Sequence, residues 1–399
     1  MWDDEVNSKG QRKSLLAAGV LLLLFLLAGV FFLFPFGLAG QPELAFSKRQ
    51  PSIVASRMYV NPGQVIGLQG DSSGFWRVLS RGEGVTITRF NLAGEPQLVE
   101  EYPLSNPLVN SNGRMLIMAD RDTGQIFLLE GSSGTIQNLS VPGKPQCVAV
   151  AETGQSLVVY LPEDGESNSL QPTLAYYNRD GALLFKTLVE NGLPVAAQLT
   201  QSGNQLFLLL GKISSQGMEN HLISYADSGQ LLWTAQLPPG PPIILRSKPF
   251  GDRVVVAVDK TIYYYNGRGQ LLWQHAAQGT IQDVVFLGMG DQIAYSSEKV
   301  SVLSFQRRAL LTAISPEGET AWQYQLKGSV PRLAGGISSL SLFVANDQGV
   351  HSVGPDGTVR WSHPMAKADP AGVDLTASED GSRVLVQGAD GRMFVLRGE

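Results

Sequence analysis

The sequence predicts an all-β fold in which eight four-stranded sheets stand as blades around an axis, behind one N-terminal membrane helix. Three observations predict it. An apolar run fills residues 15–38. After it, one unit recurs about every 44 residues to the end of the chain. The 399 residues include 44 Gly and 22 Pro, backbone breaks that suit many short strands and exclude a long helical bundle. A 43% hydrophobic content supplies a sizeable core. A formal net charge of −5 gives no nucleic-acid footprint. Cys147 stands alone, which excludes an intramolecular disulfide and any paired-cysteine metal or redox motif.

The N-terminal element comes first. No charged residue occurs from 14 to 42. The run 15–38, as a helix, spans about 36 Å, enough to cross a hydrocarbon core of about 30 Å with some tilt. A cleaved signal would have a shorter apolar region, and residues 38–41 (LAGQ) place Gln where a lipoprotein signal needs Cys. Lys9, Arg12 and Lys13 just before the run favour a cytoplasmic N-terminus. The expected organisation is a cytoplasmic tail 1–13, a transmembrane helix 14–39, a linker 40–51 and a repeat domain 52–399 outside the cytoplasm. A single cysteine suits that oxidising side.

The repeats follow. TLAYYNRDGALLF, HLISYADSGQLLW, TIYYYNGRGQLLW, LLTAISPEGETAW and GVHSVGPDGTVRW each hold an apolar strand, a polar turn ending in Gly and a second strand. The turn glycines are Gly181, Gly229, Gly269, Gly318 and Gly357, with looser copies at Gly94 and Gly134. A second register, Gly113, Gly154, Gly203, Gly251, Gly290 and Gly381, with a looser Gly336, marks another turn in each unit. Two hairpins make four strands per unit, which is a β-propeller blade. Counting gives eight blades, or seven if the copy at Gly94 is incomplete. The last copy stops after its third strand, so residues 52–60 are expected to pair with 392–396 as its outer strand and close the ring.

Trp233, Trp273, Trp322 and Trp361 each lie four residues after a turn Gly, with Phe185 in that place in an earlier unit. Recurrence in every well-formed unit assigns these rings to packing between blades rather than to one aromatic cage. This pattern of an apolar strand, a polar turn ending in Gly, then two apolar residues directly before Trp, resembles the PQQ-like β-propeller repeat over roughly 53–399. That repeat occurs in quinoprotein dehydrogenases and in outer-membrane assembly lipoproteins of the BamB type. The resemblance implies the fold and says little of function. The quinoprotein enzymes it resembles are typically larger, and many carry a vicinal cysteine pair, which one Cys cannot supply. A convergent Arg, Asp, Glu and Asn set for PQQ and Ca²⁺ is not assembled from the strands.

Other motifs reduce to local structure. Residues 70–74 fit G-x-S-x-G but join two strands, where a nucleophile elbow needs a strand and a helix. Residues 296–299 fit S-x-x-K without a helix or companion motifs. His221, His275, His351 and His363 form no metal-ligand spacing. No catalytic, cofactor or metal site is therefore expected. The expected site is a docking rim. Blades three, four and six have the widest spacing between their two turn glycines, which puts enlarged second-to-third connections on one rim. Glu163, Asp164 and Glu166, the stiff link at Pro241, and Phe305 with Arg307 and Arg308 are the expected contacts with a protein partner. The expected role is a non-enzymatic scaffold in an envelope assembly. The alternatives are a ligand-sensing or small-molecule-binding ectodomain using the central channel and, behind it, a PQQ-dependent dehydrogenase.

Overall fold

The computed structural model describes residues 42–398 apart from 60–62, 83, 132, 164–170, 191, 216, 250, 301–306, 329–330, 337, 339–340, 366–372 and 389, and leaves out the side chains of 243, 300, 307 and 308. The expected tail 1–13 and helix 14–39 lie outside the described residues. Among those described, no helix is long and apolar enough to cross a membrane.

Eight four-stranded antiparallel sheets follow one another along the chain. Blade 1 runs over 64–102, blade 2 over 107–140, blade 3 over 143–188 and blade 4 over 193–237. Blade 5 covers 242–276, blade 6 covers 280–326, blade 7 covers 332–364 and blade 8 begins at 373. The degenerate copy at Gly94 is a full blade, so the seven-bladed alternative falls. In each blade the first-to-second and third-to-fourth turns lie on one side of the disc, here the turn rim. The second-to-third connections and the links between blades lie on the other, the link rim.

The middle strands are largely apolar and buried because a neighbouring blade covers each face. All six residues of Met115–Asp120 and all five of Val254–Val258 are buried. The tryptophans act as expected, with a geometry that explains their spacing. A β-bulge follows the turn: Ser224 pairs with Trp233 and Tyr225 with Leu231, leaving Leu232 as the extra residue. The ring then lies on the turn Gly of the next blade. A Cβ on Gly269 would sit 2.6 Å from Trp233, and one on Gly318 would sit 2.8 Å from Trp273. Both glycines have positive φ, so two independent constraints exclude a side chain there. Each indole N–H donates to the carbonyl two residues before that Gly: Trp233 to Gly267 at 2.8 Å, Trp273 to Pro316 at 3.0 Å and Trp322 to Pro355 at 2.9 Å. Trp361 also comes close to a glycine that follows the third strand of the next blade, Gly398, but its ring nitrogen leads.

Closure occurs as the truncated last repeat implies. Ser52–Met58 pairs antiparallel with Arg392–Arg397 as the outer strand of blade 8. The seam between blades 8 and 1 is tight, since a Cβ on Gly70 would fall 1.9 Å from the Ala377 carbonyl oxygen. Arg77, in blade 1, donates to Gln387 of blade 8 at 3.3 Å and stacks on Tyr59 at 3.9 Å. Beside it Arg89 and Asp71 form a buried ion pair at 2.6 Å. Asp71 also accepts from the Ser73 and Gly74 amides, so residues 70–74 are a strand–turn–strand device.

Residues 43–49, part of the expected linker, are fastened to blades 6 and 7. The Leu44 amide donates to Gln325 at 3.0 Å, and Leu44 joins the core between those blades. Phe46 meets His351 edge-on at 4.7 Å, and the Ser362 amide donates to Arg49.

Two outcomes follow from this packing. A chain beginning at Asn61 leaves blade 8 with an open edge, and it is expected to aggregate or to melt well below the chain beginning at Glu43; equal melting temperatures would show that the strand is dispensable. His351 is 3% exposed, and burial lowers its imidazole to about 4. The unfolded chain takes up that proton near the ordinary value of 6.5, the folded chain only near 4, so stability falls as pH drops through this window, by about 3 kcal/mol at most. His351→Asn is expected to flatten the dependence of the urea midpoint on pH between 6.5 and 4, and an unchanged slope would refute the assignment.

Candidate functional site

The inner strands differ from the middle ones because they face the axis as well as each other. All six residues of Pro107–Asn112 are partly exposed. The inner strands of every blade but the third line a central cavity of about 510 Å³. Four successive blades present opposite charges to it in turn: Arg246, Asp283, Arg332 and Asp374. Each is a single charged residue in a short inner strand. Asp283 accepts from its neighbour Val284 N–H at 2.9 Å and from Leu333 N–H of the next blade at 3.0 Å. Arg332 Nε lies 3.8 Å from Asp374. Burial raises the Asp283 carboxyl above its ordinary range, against the pull of Arg246, the two amides and Arg332. Burial likewise raises Asp374; Arg332 opposes this and the nearby Asp283 adds to it.

At the turn-rim mouth, Asp291 gathers Lys248, Arg253 and the Tyr264 hydroxyl, the last at 2.9 Å. Burial acts to raise its carboxyl, but these three partners hold it below the usual carboxylate range. The wall also offers Gln69, Asn112, Gln198, Gln201 and Thr376. Such a lining can hold a small polar molecule by hydrogen bonds and paired charges. Among the described residues no His or Cys lines it, and no cluster of three or more His, Cys, Asp or Glu side chains is placed to hold a metal. Ser296 and Ser297, of the S-x-x-K stretch, are buried on a middle strand of blade 6. Cys147 is buried too, its thiol pushed up to about 12 by burial, which makes it unreactive.

The convergent charges were not assembled from the sequence. The available signal was one charged residue per inner strand in blades 5 to 8, in IILRS, IQDVVF, PRLAG and VDLTA. Nothing in the repeat says that these four positions share one cavity.

The expected docking residues fall on the link rim as far as they are described. Glu163 is exposed just after Ser156–Pro162, and Pro241 is exposed in the link from blade 4 to blade 5. Arg307 and Arg308 begin a strand, Arg307–Ile314, and pair with Val300 and Lys299. Asp164, Glu166 and Phe305 lie outside the described residues. Glu163 and Pro241 belong to different blades and share no hydrogen bond or ion pair. In blade 4 the expected enlarged connection between the second and third strands is instead a longer hairpin: Gln205–Ser214 and Gly217–Ala226 stay paired out to Ser214 and Gly217.

With this geometry in hand, comparison with known proteins bears on the fold. A family described as "Family of unknown function (DUF5711)" matches residues 83–230, less than half of the chain. No curated relative matches the sequence. BamB from Moraxella catarrhalis is similar in structure with a TM-score of 0.52 and 14% identity, covering 87% of this chain and 99% of that one. The C-terminal WD40 domain of Sif2 gives a TM-score of 0.60 and 11% identity, covering 88% and 99%. Both likenesses are of fold alone.

Replacing Asp291 with Ala leaves two cations and a hydroxyl without their common acceptor, at a cost of about 1–3 kcal/mol near neutral pH. Because the folded carboxyl titrates below its unfolded value, this contribution is present above the usual carboxylate range and disappears as pH falls through the lowered pKa. Urea midpoints of the two proteins are therefore expected to differ at pH 7 and to converge towards pH 2.

Proposed function

We propose that this protein is a non-enzymatic scaffold of an envelope assembly, anchored through residues 14–39 with its propeller outside the cytoplasm and a protein partner docked on the link rim. The observation that carries this reading is the lengthening of blades 3, 4 and 6 on that one rim. Blade 4 extends its hairpin to Ser214 and Gly217, blade 6 pairs out to Val300 and Arg307, and blade 3 spaces its strands from Pro162 to Thr173. Surface connections tolerate growth cheaply, while the blades hold the frame. The fold shared with BamB supports the frame of this reading, and the apolar run 15–38 with its preceding basic cluster supports the anchor.

A second reading has its own support. The alternating charges of Arg246, Asp283, Arg332 and Asp374 around one cavity favour a small-molecule-binding ectodomain. The two separate by experiment on the full chain in its native membrane. The variant Phe305→Ala/Arg307→Ala/Arg308→Ala is expected to keep its melting temperature and to lose the protein that cross-links to the unaltered chain. Retained cross-linking, with loss on changes at the turn rim instead, would assign the partner to the other face.

A further inference from the structure

The lengthened hairpin of blade 4 carries an apolar surface held rigidly above the disc. Ile213 is 85% exposed, Leu193 53% and Val195 43%. Ile213 pairs directly with Met218, and Gly211 with Leu193 on one side and Asn220 on the other, so these residues share one face. Gly211 forms a dip between them: a Cβ there would sit 3.3 Å from Val195 and 3.8 Å from the Met218 sulfur. Lys212 and Glu219 oppose each other on the other face.

The hairpin is braced at its base. Asn220 is fully buried, and its amide nitrogen donates to the Pro238 carbonyl at 3.1 Å and to the Gly240 carbonyl at 2.7 Å. The Gly240 amide returns a bond to Met218 at 3.3 Å. Pro238, Pro239 and Pro241 are exposed alongside, with φ fixed by their rings. An apolar knob on a free loop would fold back; this one is tied to a proline link and stays in water.

The chain's own path points to what covers it. Glu43 and Leu44 are fastened to the link-rim end of blade 6, through Gln325 and an ion pair between Glu43 and Lys327 at 2.9 Å. The apolar run 15–38 ends five residues earlier in the sequence, and five extended residues reach about 17 Å at most. The described chain therefore enters the disc on the rim that bears the apolar hairpin, and in sequence the apolar run lies just before that entry.

We propose that the link rim at blade 4 rests on the lipid surface, with Ile213 inserted at the headgroup boundary and Leu193, Val195, Met218 and the link prolines against it. The proposal rests on the membrane-anchor reading. Lys212 faces Glu219, so the contact is apolar rather than electrostatic, and neutral lipid suffices.

The full chain in phosphatidylcholine vesicles tests this. The natural thiol of Cys147 is buried and unreactive, so a single introduced cysteine takes a fluorophore. Ser215→Cys puts the label at the hairpin tip beside Ile213, and Arg268→Cys puts it on the turn rim; both positions are exposed. Lipids brominated near the headgroup are expected to quench the label at 215 and leave the one at 268 bright. Adding Ile213→Asp to the Ser215→Cys chain is expected to restore its emission while the chain still floats with the vesicles. Quenching at 268 alone, or at neither position in a chain that floats, overturns the proposal and leaves the anchor standing. Photo-cross-linking from position 213 to a protein in native membranes, with no lipid adduct, overturns it in favour of a protein partner. A chain that fails to float overturns the anchor reading, and this proposal with it.

Discussion

The ring must close. Eight sheets packed face to face leave one face of the first and one of the last uncovered until those two meet, and the rest of the disc depends on that seam. It is built from three kinds of contact. The strand Ser52–Met58 completes blade 8 by main-chain pairing. Gly70 allows the blade 1 backbone to approach the Ala377 carbonyl more closely than any side chain permits. The guanidinium of Arg77, its pKa lowered by burial, bridges to Gln387 and lies on Tyr59. Burying arginines is costly unless they are partnered, and Arg89 is held through one nitrogen, Nη2, by Asp71 and Ser73.

Around the rest of the ring, one contact is repeated. An indole lies on the next blade's turn glycine and donates to a nearby carbonyl. It fixes the rotation between neighbours as well as their distance, because the ring must both clear the Cα and reach the oxygen. Where the ring is Phe185, no such donation is available and only the stacking on Gly229 remains. The frame is thus specified by a few residues per blade. Inner strands and connections are left to vary, and the charged cavity and the extended hairpin both lie there.

That division explains what could be read from the sequence. Turn glycines and tryptophans recur at fixed spacing because each unit meets the same neighbour, so blade number, strand order and the closing strand were legible. The tetrad Arg246, Asp283, Arg332 and Asp374 was not, because each residue occurs once and their meeting depends on the curvature of the ring. The blade 4 insertion was legible in length and misread in form, as a loop, because spacing cannot tell a loop from two strands that keep pairing to Ser214 and Gly217. Leu44 and Phe46 stood in a segment expected as linker; two apolar residues are too few to show a period, and only the groove between blades 6 and 7 gives them a place.

The pairing of Ser52–Met58 with Arg392–Arg397 also sets an order of events in the life of the chain. The strand Ser52–Met58 waits for its partner Arg392–Arg397, made only after all the other blades. Until then the disc is not sealed, and the nascent protein carries an unpaired strand while blades 1 to 7 form. Blades can form locally as they emerge, but the ring is committed only when blade 8 gains its outer strand. A chain cut short before Arg392–Arg397 has made nearly every other contact and still has an open ring.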